Sequence, residues 1–230
     1  NDSPLIGASG EPYKMATIPE ECLPILNSDD PASKQRLHNN ALYRRMLQMG
    51  KVALTEACEA ANVEQMIPVF LAVPEQRCGR PYPALEPIIK DLFQEVAYPL
   101  DLLSSRVFPL GRAGGMNALS EALELLLTTP LESIIVGGID SFLDVMLLSA
   151  LDHEQRLLRI DLAGGFAPGE GAAFVVLKKT DQANVIIATP GLAEESGHFY
   201  SEEVCLGNGL SEAVESAVTN AKEWVLNTPV

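Results

Sequence analysis

Basic residues are scarce in this 230-residue chain: 16 Lys and Arg stand against 31 Asp and Glu, a formal net charge of -15. A nucleic-acid or anionic-membrane binder needs a basic footprint, so both classes are disfavoured. Cysteine is scarce too. Cys22, Cys58, Cys78 and Cys205 are scattered with no CxxC pair. They read as reduced thiols of a cytoplasmic protein, not as a disulfide frame or a zinc site. The three histidines, His38, His153 and His198, show no metal-ligand spacing, so no metal and no cofactor is expected. No apolar run reaches membrane-span length, and no secretory signal is visible. The sequence also lacks a GxxxxGK[ST] phosphate loop, a GxGxxG fingerprint, a GxSxG elbow and an HExxH pair. What it has is a 47% hydrophobic, 20% charged composition. That is enough to bury a sizeable core, which excludes wholesale disorder.

Patterning points to an α/β class. Residues 1–32 are rich in Pro and Gly and read as an irregular segment; the chain opens on Asn1, and trimming upstream is expected. Residues 33–62 carry apolar residues at three- and four-residue steps, a helix with Ser33 as its cap after Pro31. Residues 66–73 (MIPVFLAV) read as a buried strand, 85–96 as a second amphipathic helix, and 106–110 (RVFPL) as a weak strand. Residues 114–128 form the strongest helix pattern, apolar on more than one face and therefore expected to be the most buried helix. Residues 133–136 read as a strand ending at Gly137-Gly138, 142–151 as a helix, 171–177 and 185–188 as strands, and 210–221 as a final helix. This order predicts one domain over residues 1–230, with a mixed, mostly parallel sheet of about five strands covered by helices on both faces.

Three segments carry more information: GRAGGMNALSEALELL, IIVGGIDSF and GGFAPGEGAAFVVL. Their order, spacing and glycine placement resemble the β-ketoacyl synthases of the thiolase-like superfamily. In that family a strand leads through an Ala-Cys-Ala-x-Gly turn into a helix. A strand with a Gly-Gly pair follows, then a Gly-Phe-x-x-Gly-Glu-Gly-Ala turn. The last of these is the most specific, and here it is carried by Gly165 to Ala172, with Gly169, Glu170 and Gly171 at its centre. The resemblance runs from about Ser33 to at least Leu210. It implies a layered thiolase-like fold, of which this chain holds the first half and the start of the second.

Residue by residue, the resemblance places Gly115 on the family's turn glycine and Arg112 on its nucleophilic cysteine. A nucleophile there would have its thiolate stabilised by the unpaired N–H groups and dipole of the helix start. Arginine is always protonated and cannot serve. The family's catalytic histidine loops have no counterpart either, so no catalytic residue is assigned. An exposed Arg112 with no pocket role is the plainer alternative reading, and Asp140 and Asp144 are candidates to pair with it. Glu170, like Gly137 and Gly138, reads as a structural residue.

The resemblance therefore implies a binding scaffold without condensing activity. The terminal segments, PLIGASGEPYKMA and PGLAEESGHFYSEEVCLGNGLSEAV, look like a branch found with type VI secretion genes. That implies a chaperone or adaptor for a secreted effector. The runner-up is a ketoacyl synthase or acyltransferase component, or a non-catalytic subunit of the chain-length-factor kind, in fatty-acid or polyketide synthesis. An enzyme docking an acidic acyl carrier would need basic residues, and Arg44, Arg45 and Lys51 are the candidate cluster. By analogy with the family, a homodimer or a hetero-pair with a related chain is expected, seamed along residues 106–110 and the following helix. The long loop 194–208, with Phe199 and Tyr200, is a second candidate surface.

Overall fold

The computed structural model describes residues 2–6, 10, 12–75, 85, 87–158, 164–180, 182, 185–198 and 201–227, with side chains for all of these except 2–5 and 223–227. Cys78, Phe199 and Tyr200 lie outside the described residues. A short antiparallel hairpin, β1 (Asp2–Ile6) and β2 (Pro12–Lys14), opens the chain. Helices α1 (Pro31–Asn39) and α2 (Ala41–Ala60) follow, then β3 (Val69–Ala72), α3 (Ile88–Glu95), β4 (Arg106–Phe108) and α4 (Gly114–Thr128). The order closes with β5 (Ser133–Ser141), α5 (Val145–His153), β6 (Glu170–Lys178) and α6 (Asn208–Asn227).

The main sheet runs β4-β3-β5-β6. β3 is parallel to both neighbours, and β5 pairs antiparallel with β6 over nine residues. As the central strand of a sheet covered on both faces, β3 is fully buried and continuously apolar, the signature of such a position. The two-residue alternation of strands divides the core. Val69, Leu71, Ile135 and Ile139 join α2 and α3 in one cluster. Phe70, Ile134 and Val136 join α4 on the opposite face, where the Phe70 and Phe108 rings lie 5.5 Å apart. A third cluster packs Tyr13 and Met15 against Leu147, Leu148 and Leu151 of α5.

The α/β class and the mixed, mostly parallel sheet agree with the sequence reading; several details differ. The main sheet has four strands among the described residues, because residues 185–188 form none. Val185 and Ile186 are exposed, and the segment pairs with neither edge strand of the sheet, β4 or β6; β-propensity without pairing and burial makes no strand. The first helix is two helices. Asn40 is extended (φ -135°, ψ 102°) and its side chain accepts the Tyr43 N–H at 2.8 Å, capping α2. The cap of α1 is Asp30, which accepts the Ala32 N–H with Pro31 in the first turn; Ser33 is buried inside the helix, so the irregular segment ends before 32. β5 does not stop at Gly137-Gly138 but continues to Ser141. Gly137 stands opposite Phe174, whose ring fills the space a Cβ would take.

The most buried helices are α3, with five of its eight residues buried, and α2, not α4. Nine of the twenty α2 residues are buried. In α4 the buried residues are Gly114, Ala118, Ala122 and Leu126, one narrow stripe at four-residue steps, while Leu127 is 78% exposed. The reason is position. α2 lies across the sheet beneath α1, α3 and the N-terminal segment; α4 has the sheet on one side and no described element on the other.

Candidate functional site

The turn into α4 is built by chain reversal after β4. The Gly111 N–H bonds the Val73 carbonyl at 3.2 Å, and the Val73 N–H bonds the Phe108 carbonyl at 3.0 Å. Gly111 adopts φ +54°, a left-handed backbone conformation that favours glycine. A 3-10 turn over Gly111–Ala113 then leads into α4, with no side-chain cap at Ala113. The helix start passes over β3 and β4 at Gly114, where a Cβ would meet the Phe108 carbonyl oxygen at 3.0 Å and Ala72 Cβ at 3.1 Å. Gly115 faces open space. The close-approach glycine is therefore Gly114, and the signal in the sequence was the small-residue row Gly114, Ala118, Ala122.

Arg112 is exposed on this turn. Asp144 is not its partner: it caps α5 by accepting the Leu147 N–H at 2.9 Å. The Asp140 carboxylate accepts the Ser141 N–H at 2.7 Å. None of the described thiols belongs to this turn. Cys22 and Cys205 are exposed elsewhere in the chain, and Cys58 is buried on α2, across the sheet from α4. Burial pushes the Cys58 thiol up to about 11, which suppresses its thiolate.

Glu170 is a knot. Its carboxylate is fully buried. It accepts Arg45 Nε and Nη2, each at 2.6 Å, the Ser141 hydroxyl at 3.0 Å and the Ile18 N–H at 2.8 Å. Arg45 also donates to the Ile18 carbonyl and to Glu20. Its ionisation is held above the ordinary arginine range, first by the bond to Glu170, with burial opposing. Beside it, Gly169 bridges to Ala16, whereas a Cβ added at Gly171 would meet nothing within 4 Å.

Two further carboxylates repeat the device. Asp91 accepts a bidentate pair from Arg36 (2.8 and 2.5 Å) and the Tyr43 hydroxyl at 2.7 Å. Burial, then Asp91, pushes the Tyr43 phenol far above its usual range. Glu95 accepts Lys51 Nζ at 2.9 Å and the Asn27 N–H. Arg45 and Lys51, two of the three residues of the candidate carrier-docking cluster, are thus each engaged by a buried carboxylate. A cavity of about 380 Å³ at the break between α1 and α2 is lined by Arg36 and Tyr43, both already engaged by Asp91. Among the described residues, no cluster of His, Cys, Asp and Glu could hold a metal ion, and no helix is long and apolar enough to cross a membrane.

No family model matches the chain. Over 130 residues it is 28% identical to the tetracenomycin polyketide synthase ketoacyl synthase beta subunit of Streptomyces glaucescens, covering 52% of this chain and 32% of that protein. The chain thus spans about a third of the length of that curated relative. Three solved structures are similar. The 3-oxoacyl-(acyl carrier protein) synthase III, FabH, of Pseudomonas aeruginosa PAO1 is 18% identical with a TM-score of 0.43, covering 86% of this chain and 64% of that one. A type III pentaketide synthase from Neurospora crassa is 14% identical with a TM-score of 0.47, covering 95% and 62%. The tetronic acid condensing enzyme AbyA1 is 16% identical with a TM-score of 0.39, covering 68% and 46%. The curated relative is a ketoacyl synthase subunit by its own description, in keeping with the sequence resemblance.

Proposed function

We propose that the chain is a ketoacyl-synthase-like scaffold that does not condense acyl thioesters and works by pairing with another protein. The observation that carries this is the turn into α4: the position where the resemblance puts a nucleophile holds an exposed Arg112. A guanidinium has no lone pair to offer. Likeness to a ketoacyl synthase beta subunit supports a related chain as partner. The outward side of β4 and α4, where Leu110, Met116 and Leu127 are exposed, is the proposed seam, because soluble proteins cover apolar strips of this kind.

The test is turnover. Purified protein supplied with acyl and malonyl thioesters should form no condensation product, and Arg112→Cys should restore none. Turnover abolished by replacing one of the four cysteines would overturn the reading. A second reading, an adaptor for a type VI secreted effector, is favoured by the terminal segments quoted above. Co-purification separates the two: a condensing chain recovered with this protein supports the first, a spike effector or its adaptor the second. Sedimentation of the purified protein showing only monomer at tens of micromolar counts against a homodimer through α4.

A further inference from the structure

The break between α1 and α2 leaves a cavity of about 380 Å³, a volume within the range of small-molecule sites. Ala32, Gln35, Arg36 and Asn39, at three- and four-residue steps on one side of α1, line it together with Asn40 and Tyr43. Asp91 fixes two of these side chains from outside the lining. It accepts Nε and Nη2 of Arg36 and the Tyr43 hydroxyl. A guanidinium has two edges, each able to grip an oxyanion with parallel bonds. Asp91 takes the edge made by Nε and Nη2. Nη1 donates to no described residue, and the Arg36 side chain is 28% exposed. The second edge is therefore held in one place and left without an acceptor.

The lining contains no carboxylate, and Arg36 is its one charged residue. The surroundings agree. Between Asp30 and Glu56 the chain carries five Lys and Arg and no Asp or Glu, against a net charge of -15 overall. Three of the five, Arg36, Arg45 and Lys51, are engaged by buried carboxylates. Arg44, exposed one turn beyond Asn40, has no partner among the described residues. Asp30, the nearest acid in sequence, is spent on the Ala32 N–H and on Lys90 at 3.5 Å. The end of α1 and the start of α2 meet here, so their dipoles offset each other and the side chains decide. The rest of the polar lining is amide. Gln35 and Asn39 are exposed, and Asn40 spends its oxygen on the Tyr43 N–H, which leaves its Nδ2 to donate. Amides both donate and accept, as hydroxyls do. We propose that this cavity binds a small phosphorylated polyol of the sugar-phosphate class, with the phosphate on the open edge of Arg36 and the hydroxyls on Gln35 and Asn39. Asp91 is then a positioning residue. The site lies on α1 and α2, and the proposal holds whether or not the strip at β4 and α4 pairs.

The probes are glucose-6-phosphate, glucose and inorganic phosphate, each titrated into the whole chain by calorimetry. Glucose-6-phosphate should bind with a dissociation constant of about 1 mM or tighter, and the other two at least about tenfold more weakly, since each offers half of the contacts. Arg36→Lys keeps a cation for Asp91 and removes the second edge; it should weaken glucose-6-phosphate about tenfold or more, the worth of a charged hydrogen bond. Gln35→Glu, at an exposed position, puts a carboxylate into the lining without touching Asp91 and should weaken it as much. Ala60→Glu makes the same charge change at the exposed far end of α2, about 30 Å from Asn40, and should alter binding less than about twofold, because salt screens charges at that range. Circular dichroism checks the fold of each variant; where Arg36→Lys unfolds the chain, Gln35→Glu decides. No binding of glucose-6-phosphate overturns the proposal. So does equal binding of glucose, which removes the anion from the recognition, or equal binding of inorganic phosphate, which leaves an adventitious ion only. Binding unchanged by Gln35→Glu, or weakened as much by Ala60→Glu, places the ligand elsewhere and overturns it too.

Discussion

The two faces of the sheet are finished to different degrees. Under α2, the buried carboxylates are matched: Asp91, Glu95 and Glu170 each collect a cation and at least one further donor. Through Arg45, Gln48 and Lys51 at three-residue steps, α2 also holds the carbonyls of Ile18, Pro24 and Ile25, tying down a segment with little regular structure. On the other face, α4 buries only a stripe of small residues and Leu126 and leaves Leu127 in the open. A face closed by specific polar bonds is interior. The α4 face is closed by small residues and keeps Leu127 at its surface.

The largest expected effect is on the first face. Glu170→Gln strands Arg45 with a weakened acceptor and should cost about 3–5 kcal/mol, the range for breaking a buried ion pair from one side, read as a shift in urea midpoint. Arg45→Met with Glu170→Leu should cost much less, since no charge is then left unpaired. Similar losses from both would mean the pair is ordinary packing. Next comes Cys58. Its thiol is raised by burial to about 11 from an ordinary 9, so between those values the unfolded state loses its proton first and stability falls as pH rises. Cys58→Ala should remove about 2 kcal/mol of that decline, and alkylation should reach Cys22 and Cys205 well before Cys58. An identical pH profile in the variant would contradict the sealed-face picture.

Smaller effects test the ends and the open face. Asp144→Ala removes the α5 cap and should cost about 1 kcal/mol in thermal or urea unfolding. Leu127→Lys, on the uncovered side of α4, should alter stability by less than about 0.5 kcal/mol yet abolish pairing seen by sedimentation. A clear loss of stability in the monomer would show that α4 is covered after all.

The sequence by itself determined the class of fold. Runs such as VFLA and SIIV announce buried strands, the four-residue row from Gly114 to Leu126 announces α4, and the segment Gly165 to Ala172 carries the ketoacyl-synthase resemblance and the entry into β6. These are local signals, set by side-chain period and backbone freedom, and they need no distant partner to be read. Arg112 was singled out by the ketoacyl-synthase resemblance, and the fold leaves it exposed on the turn into α4. Only the tertiary structure decided the rest. Arg45 meets Glu170 across 125 residues, so a residue that looked like surface basicity became an internal bond. Residues 185–188 had the composition of a strand but pair with neither edge of the sheet. Gly137 was a strand interior because Phe174 came to lie over it. Each outcome depends on which groups folding brings together from remote parts of the chain, and hydrogen bonding and burial are satisfied between elements, where local pattern carries no record of them.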